Sequence, residues 1–232
     1  MSQVVQLDAA DAREQAIAAL RAGSLVVLPT DSVYGVAADA FNPVATQRLI
    51  GAKRRGRNVP LPILIRSPRQ TTGLVAELGE PAERLMAAYW PGPLTLIFTA
   101  VDDLSWDIGD NKGTVALRMP TDDFLLELIA EVGPLAVTSA NRRGEPVPTT
   151  VEAARTQLGV AVELYIDGDE RNGPTSTIVD VTRPQIEVLA EGAITAADVR
   201  LVASGAVAWG TRPAPQPTDP HERPRPDAVG SS

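Results

Sequence analysis

Residues 25–35 read Leu-Val-Val-Leu-Pro-Thr-Asp-Ser-Val-Tyr-Gly, a short apolar run that passes straight into hydroxyl and carboxylate side chains. An apolar run of this length suits a buried strand. Open α/β sheets bind ligands beyond the carboxyl ends of their strands. Thr30, Asp31, Ser32 and Tyr34 thus stand where a small polar substrate would be gripped, or else they form a polar turn with an Asx-type bond. Upstream, 8–22 reads as an amphipathic helix with Ala12, Ala16, Ala19 and Leu20 on one face and Gly23 as its stop. Downstream, Asn42-Pro43 is an N-cap followed by proline at the first helical position, opening a helix that runs to about Ala52.

Further strands are expected at 61–65, 94–100, 115–119, 135–138, 162–166, 176–181 and 186–189. Helical stretches should begin at Ser67-Pro68 and Glu80-Pro81 and cover 122–132, 150–158 (capped by Thr149 or Thr150) and 195–203. The irregular alternation predicts a single α/β domain over 1–210, with a mixed parallel and antiparallel sheet and flanking helices. Residues 211–232, rich in Pro, Arg and Asp, are expected to be a disordered tail.

Composition excludes several chemistries. The chain has no cysteine, which removes disulfides, thiolate catalysis and Cys-based zinc sites. Its one histidine, His221, lies in the proline-rich tail, which argues against a histidine base or a Ser-His-Asp triad. The net charge of −8 argues against a general nucleic-acid binder but allows a local basic pocket. There is no basic leader followed by an apolar run, and no stretch nears the ~18 apolar residues of a membrane span. The expectation is a cytoplasmic protein with no membrane partner.

Four more stretches are candidates for chemistry. Lys53-Arg54-Arg55-Gly56-Arg57 closes a helix, where cations complement the macrodipole, yet four cations in five residues also suit phosphate. No P-loop pattern is present. Thr138-Ser139-Ala140-Asn141 follows a strand and is either a loop or an uncharged grip on phosphate or ribose. Gly173-Pro174-Thr175-Ser176-Thr177 is a further candidate, for which an edge-strand entry with ordinary β-branched residues is the plainer reading. Arg118, ending Thr114-Val115-Ala116-Leu117-Arg118, either snorkels to solvent or meets a substrate carboxylate.

In order along the chain, PTDSVYGVAADA, AKRRGRNVPLPILI, WPGPLTLIF, TVALRMP, TSAN and PTSTIVD resemble the motif series of the YrdC-like family over roughly residues 8–205. The resemblance implies the short, single-domain form and a twisted sheet around a large electropositive cavity. It implies a nucleotidyltransferase that condenses L-threonine, bicarbonate and ATP, with Mg²⁺ accompanying ATP, into threonylcarbamoyl-AMP and pyrophosphate. The product would feed tRNA threonylcarbamoyladenosine modification through downstream transfer proteins, with RNA binding as a further expectation. By the same resemblance, Thr30, Tyr34, Arg118 and Ser176 would bind threonine. Lys53 and Arg55 would act on the phosphates as the catalytic pair. Thr114, Ser139 and Asn141 would line the nucleotide site. The alternative is a same-fold paralogue that binds nucleotide or RNA without the synthase activity.

Four positions depart from the pattern. Gly56 stands for a usual proline, Arg143 for a usual serine, Leu64 for a frequent histidine, and Ala190-Glu191 for a usual Arg-Pro. Glu191 would repel a nucleotide, and Arg54, Arg57, Arg142 and Arg143 are the nearby cations that would compensate.

Overall fold

The computed structural model describes residues 2–102 and 104–206. The tail expected over 211–232 lies outside them. Ten strands and six α-helices follow one another: β1 (Gln3–Gln6), α1 (Ala12–Arg21), β2 (Val26–Pro29), β3 (Tyr34–Asp39), α2 (Pro43–Ala52), β4 (Ile63–Leu64), α3 (Glu80–Tyr89), β5 (Leu94–Thr99), β6 (Thr114–Arg118), α4 (Asp123–Val132), β7 (Leu135–Ser139), α5 (Val151–Leu158), β8 (Leu164–Asp167), β9 (Thr177–Asp180), β10 (Glu187–Ala190) and α6 (Ala196–Ala203). The strands form one mixed sheet in the order β1-β8-β2-β3-β7-β4-β6-β5-β9-β10.

Local signals account for most boundaries. Asn42 Oδ1 accepts from Val44 N at 3.1 Å and Ala45 N at 3.2 Å, capping α2 as its sequence predicts. Thr150, not Thr149, caps α5 through Ala153 N at 3.2 Å. The stretch after Ser67-Pro68 is a short 3₁₀ helix, Pro68–Gly73, opened by a capping box between Ser67 and Gln70. Two strands were not expected. β1 pairs parallel with β8 at the sheet edge. β3 folds back on β2 with Leu28 opposite Gly35 and pairs on its other side with β7. Its residues Gly35, Ala37 and Ala38 have low strand propensity, so the pattern did not show it.

The two faces of the sheet are covered unequally. Helices α2, α3, α5 and α6 bury one face along with Val27, Val36, Ile63, Leu96, Leu117 and Val179. Helices α1 and α4 bury the other face, but only over β8, β2, β3, β7 and β4, where Leu28, Ala37, Leu64, Val137 and Ile166 contribute. Beyond β4 this second layer stops. On β5, β6 and β9 one set of alternate residues is fully buried (Leu94, Leu96; Val115, Leu117; Thr177, Val179). The other set (Ile97, Ala116, Ile178) is only half-buried, with no helix over it. That uncovered face is where a ligand can lie.

Candidate active site

At the border between covered and uncovered sheet, Thr30, Ser32, Thr95, Arg118, Ser139 and Ser176 line one pocket, floored by Gly35, Leu64 and Val137. Gly35 is necessary in this floor, since a Cβ there would stand 2.9 Å from Val137 Cγ1 and 3.1 Å from Thr30 Cγ2. Thr30 takes part in the turn and also lines the pocket. Its hydroxyl donates to Val33 O at 2.7 Å and accepts from Val33 N at 3.2 Å, which makes the turn, while the side chain faces the pocket.

Arg118 lies at the end of β6, 8% exposed. Its Nε donates to Gly92 O at 2.9 Å and its Nη2 to Asp31 Oδ2 at 2.5 Å. Gly92 must be glycine, because a Cβ would come 2.4 Å from Tyr89 O. The same Asp31 oxygen accepts from Thr121 N at 3.1 Å and Thr121 Oγ1 at 3.0 Å. Asp31 thus holds Arg118 from outside the pocket lining, a role that the sequence did not disclose. Half of the Arg118 fork is committed, and Nη1 is the part left to meet a carboxylate in the pocket.

Lys53 is the C-cap of α2 but turns away from that helix. It is 4% exposed. Its ammonium donates to Ser139 O, to Asn141 O at 2.7 Å and to Asn141 Oδ1 at 3.3 Å. Ser139 Oγ donates to Asn141 Oδ1 at 2.5 Å, and Asn141 Nδ2 to Glu145 O at 2.8 Å. The loop 139–141 is therefore built around a buried cation. Burial, with Arg55 nearby, pulls the Lys53 pKa down to about 8. Arg55 donates to Val59 O at 2.7 Å, Pro60 O at 2.8 Å and Thr138 Oγ1 at 3.4 Å, which sets it at the pocket rim beside Thr138. Burial and the neighbouring Arg143 lower its pKa. Neither Lys53 nor Arg55 has a carboxylate partner among the described residues. Arg57, by contrast, is held by Asp107 at 2.6 Å and Asp110 at 3.6 Å.

Two expected residues sit elsewhere. Tyr34 follows Val33 in an extended chain, so it points to the opposite side of the sheet and is fully buried. Its hydroxyl donates to Asp169 O at 2.8 Å and accepts from Gly168 N at 3.0 Å, tying the segment after β8 to β3. Burial pushes its pKa up, which keeps the donor proton in place. Thr114 shares the open face with Arg118 but lies two side-chain repeats away, about 13 Å along the strand, and its hydroxyl donates to Asn111 O at 2.7 Å. It is outside the pocket around Arg118.

The connection 168–176, from the second strand of the sheet to the ninth, passes over the site. Gly173 N donates to Ser32 O at 2.7 Å and Arg171 N to Thr149 O at 2.8 Å. Gly192 presses against the end of this connection, where a Cβ would meet Thr175 O at 2.2 Å. Its neighbour Glu191 is engaged too, since its Oε2 accepts from Ala196 N at 2.7 Å at the start of α6. That carboxylate therefore serves a helix N-terminus, a partner that its reading as a repelling charge did not foresee.

A hydroxyl-lined pocket beside Lys53 and Arg55, two cations without carboxylate partners among the described residues, has the chemistry of a site for a small, polar, anionic molecule. Comparison with known proteins narrows this class. The family model Sua5_yciO_yrdC, described as telomere recombination, matches residues 18–192. A Mycobacterium leprae protein provisionally named threonylcarbamoyl-AMP synthase is 45% identical over 185 residues, covering 79% of this chain and 84% of that protein. The threonylcarbamoyl-AMP synthase of Pyrococcus abyssi is 39% identical over 165 residues, 70% of this chain and 48% of its own. The crystal structure of P. abyssi Sua5 complexed with L-threonine superposes with a TM-score of 0.79 at 34% identity, over 87% of this chain and 60% of that one. The chain spans well under two thirds of both P. abyssi proteins. It belongs to the Sua5/YciO/YrdC family.

Proposed function

We propose that this chain is a threonylcarbamoyl-AMP synthase, a nucleotidyltransferase that joins L-threonine, bicarbonate and ATP and releases pyrophosphate. The observation that carries this reading is the meeting of Thr30, Arg118, Ser139 and Ser176 in one pocket with Arg55 at its rim. Hydroxyls and the free edge of Arg118 suit an amino acid that itself has a hydroxyl and a carboxylate. Lys53 and Arg55 suit a polyphosphate. The names of the relatives favour the synthase over a paralogue that only binds nucleotide or RNA.

In this reading the threonine amine takes up carbon dioxide derived from bicarbonate to give a carbamate. A carbamate oxygen then attacks the α-phosphorus of ATP, and pyrophosphate leaves. The protein contributes position and charge, and no protein nucleophile is needed. Arg55 would hold the phosphates in line. Lys53 would fix the 139–141 loop and supply positive charge beneath it. Among the described residues no group of three or more Asp, Glu, His or Cys is placed to hold a metal; in this reading Mg²⁺ would accompany ATP and supply neutralisation of phosphate charge, beside Arg55 and Lys53. The adenylate would pass to proteins that transfer threonylcarbamoyl to tRNA. No helix among the described residues is long and apolar enough to cross a membrane, and cytoplasmic work on soluble substrates fits the reading.

The test is pyrophosphate release by the full chain with ATP, bicarbonate and Mg²⁺, with and without L-threonine. Threonine-dependent release is expected. Nucleotide or RNA binding without such release would overturn the reading in favour of the paralogue.

A further inference from the structure

Two of the departures from the family pattern, Gly56 and Arg143, are neighbours in space. A Cβ built on residue 56 would stand 3.4 Å from Arg143 Nη1 and 2.4 Å from Asn58 Oδ1. The backbone fixes the approach, since Arg143 N donates to Lys53 O at 2.9 Å, Glu145 N to Arg142 O at 3.0 Å, and Gly144 turns the chain at φ +86°. The loop that wraps the Lys53 ammonium thus delivers the next arginine to the side of Arg55.

Two like charges so placed repel each other, and no carboxylate among the described residues pairs with either. Arg55 is anchored by the Val59 and Pro60 carbonyls and cannot swing away without losing both bonds. Arg143 is exposed, and its side chain makes no hydrogen bond or ion pair among the described residues. A guanidinium anchored at three of its N–H groups beside an exposed one, with no counter-ion, is an arrangement that a condensed phosphate would complete, because the Arg143 fork can take two phosphate oxygens and Arg55 keeps its remaining Nη hydrogens for another. Arg57, although only two residues from Arg55, is neutralised by Asp107 and Asp110 and points to that pair instead.

We propose that Arg143 is a phosphate-binding residue of this chain, closing with Arg55 on the diphosphate end of ATP and on the pyrophosphate product. The proposal deepens the synthase reading and rests on it for the identity of the nucleotide.

The experiment measures pyrophosphate binding to the full chain by titration calorimetry, and steady-state KM values for ATP and threonine, in wild type, Arg143→Ala, Arg143→Lys and Arg57→Ala. Arg143→Ala should weaken pyrophosphate binding and raise the KM for ATP about tenfold, the loss of one charge-assisted contact. The KM for threonine should stay within about twofold by the same logic. Arg143→Lys should recover part of the loss, and Arg57→Ala should resemble wild type. If Arg143→Ala matches Arg57→Ala in pyrophosphate binding, or if wild type binds no pyrophosphate, the proposal is overturned, whatever the turnover. If pyrophosphate binding falls as expected but wild type shows no threonine-dependent release, Arg143 keeps its role and the synthase reading fails instead.

Discussion

Arg118 Nη2 lies 2.5 Å from Asp31 Oδ2, an ion pair that joins the loop after β2 to the end of β6 across 87 residues of chain. Both side chains are nearly buried, at 10% and 12% exposure. The pair decides how the pocket presents its arginine, with one edge fixed by Asp31 and Gly92 and the other free.

Removing one partner of a buried pair strands the other. Asp31→Ala is expected to lower the unfolding free energy by about 3 kcal/mol, read from urea denaturation, and to raise the KM for threonine more than the KM for ATP. An unchanged denaturation midpoint would show that Arg118 finds its place without Asp31.

Lys53 predicts opposed pH effects. Its folded pKa of about 8 lies below its ordinary 10.5, so below pH 8 the fold carries the full cost of a buried charge. Between about 8 and 10.5 the unfolded chain holds the proton and the fold does not, so this group's contribution to stability rises with pH, by about 3 kcal/mol over the window. Affinity for ATP should fall over the same rise, as the ammonium loses its charge. Nucleotide titrations at pH 7 and 9, beside thermal melts of wild type and Lys53→Met, check both signs. Parallel pH dependence in the two melts would contradict the first.

Tyr34→Phe removes the acceptor of Gly168 N and the donor to Asp169 O. A loss of about 1–3 kcal/mol in stability is expected from the stranded amide, with the KM for threonine within about twofold of wild type. A large specific rise in that KM would return Tyr34 to the substrate side.

Glu191→Ala should cost about 0.5–1 kcal/mol through the N-terminus of α6 and leave the KM for ATP unchanged. Tighter ATP binding in this variant would mean that the carboxylate does repel the nucleotide.

What the sequence revealed was local. Asn42-Pro43 and Thr150 announce helix starts because a cap needs only a few adjacent residues. The site loops at 30–35 and 138–141 were visible as polar residues after apolar runs, 53–57 as a run of cations closing a helix, and 175–177 through the resemblance to the family motif. What stayed hidden depends on distance or direction. Asp31 and Arg118 are far apart in the chain, and nothing local marks them as partners. Tyr34 and Gly35 are adjacent in a motif, yet the two-residue period of a strand sends them to opposite faces. β3 itself was hidden because Gly35, Ala37 and Ala38, chosen to let helices and the Thr30 side chain approach, are the residues that least resemble a strand.

The connection 168–176 has a consequence for which molecules the site admits. It is the chain's own tether between distant strands, pinned at Tyr34 on one side, at Ser32 midway and at Gly192 on the other. A tether of fixed length works as a calliper, so the gap beneath it is set by how many residues it contains. Inserting residues costs little in closure entropy, but it would slacken the jaw that carries Thr175 and Ser176. In the synthase reading, selectivity for a small amino acid over a bulkier one would then depend partly on loop length as well as on the side chains that line the pocket.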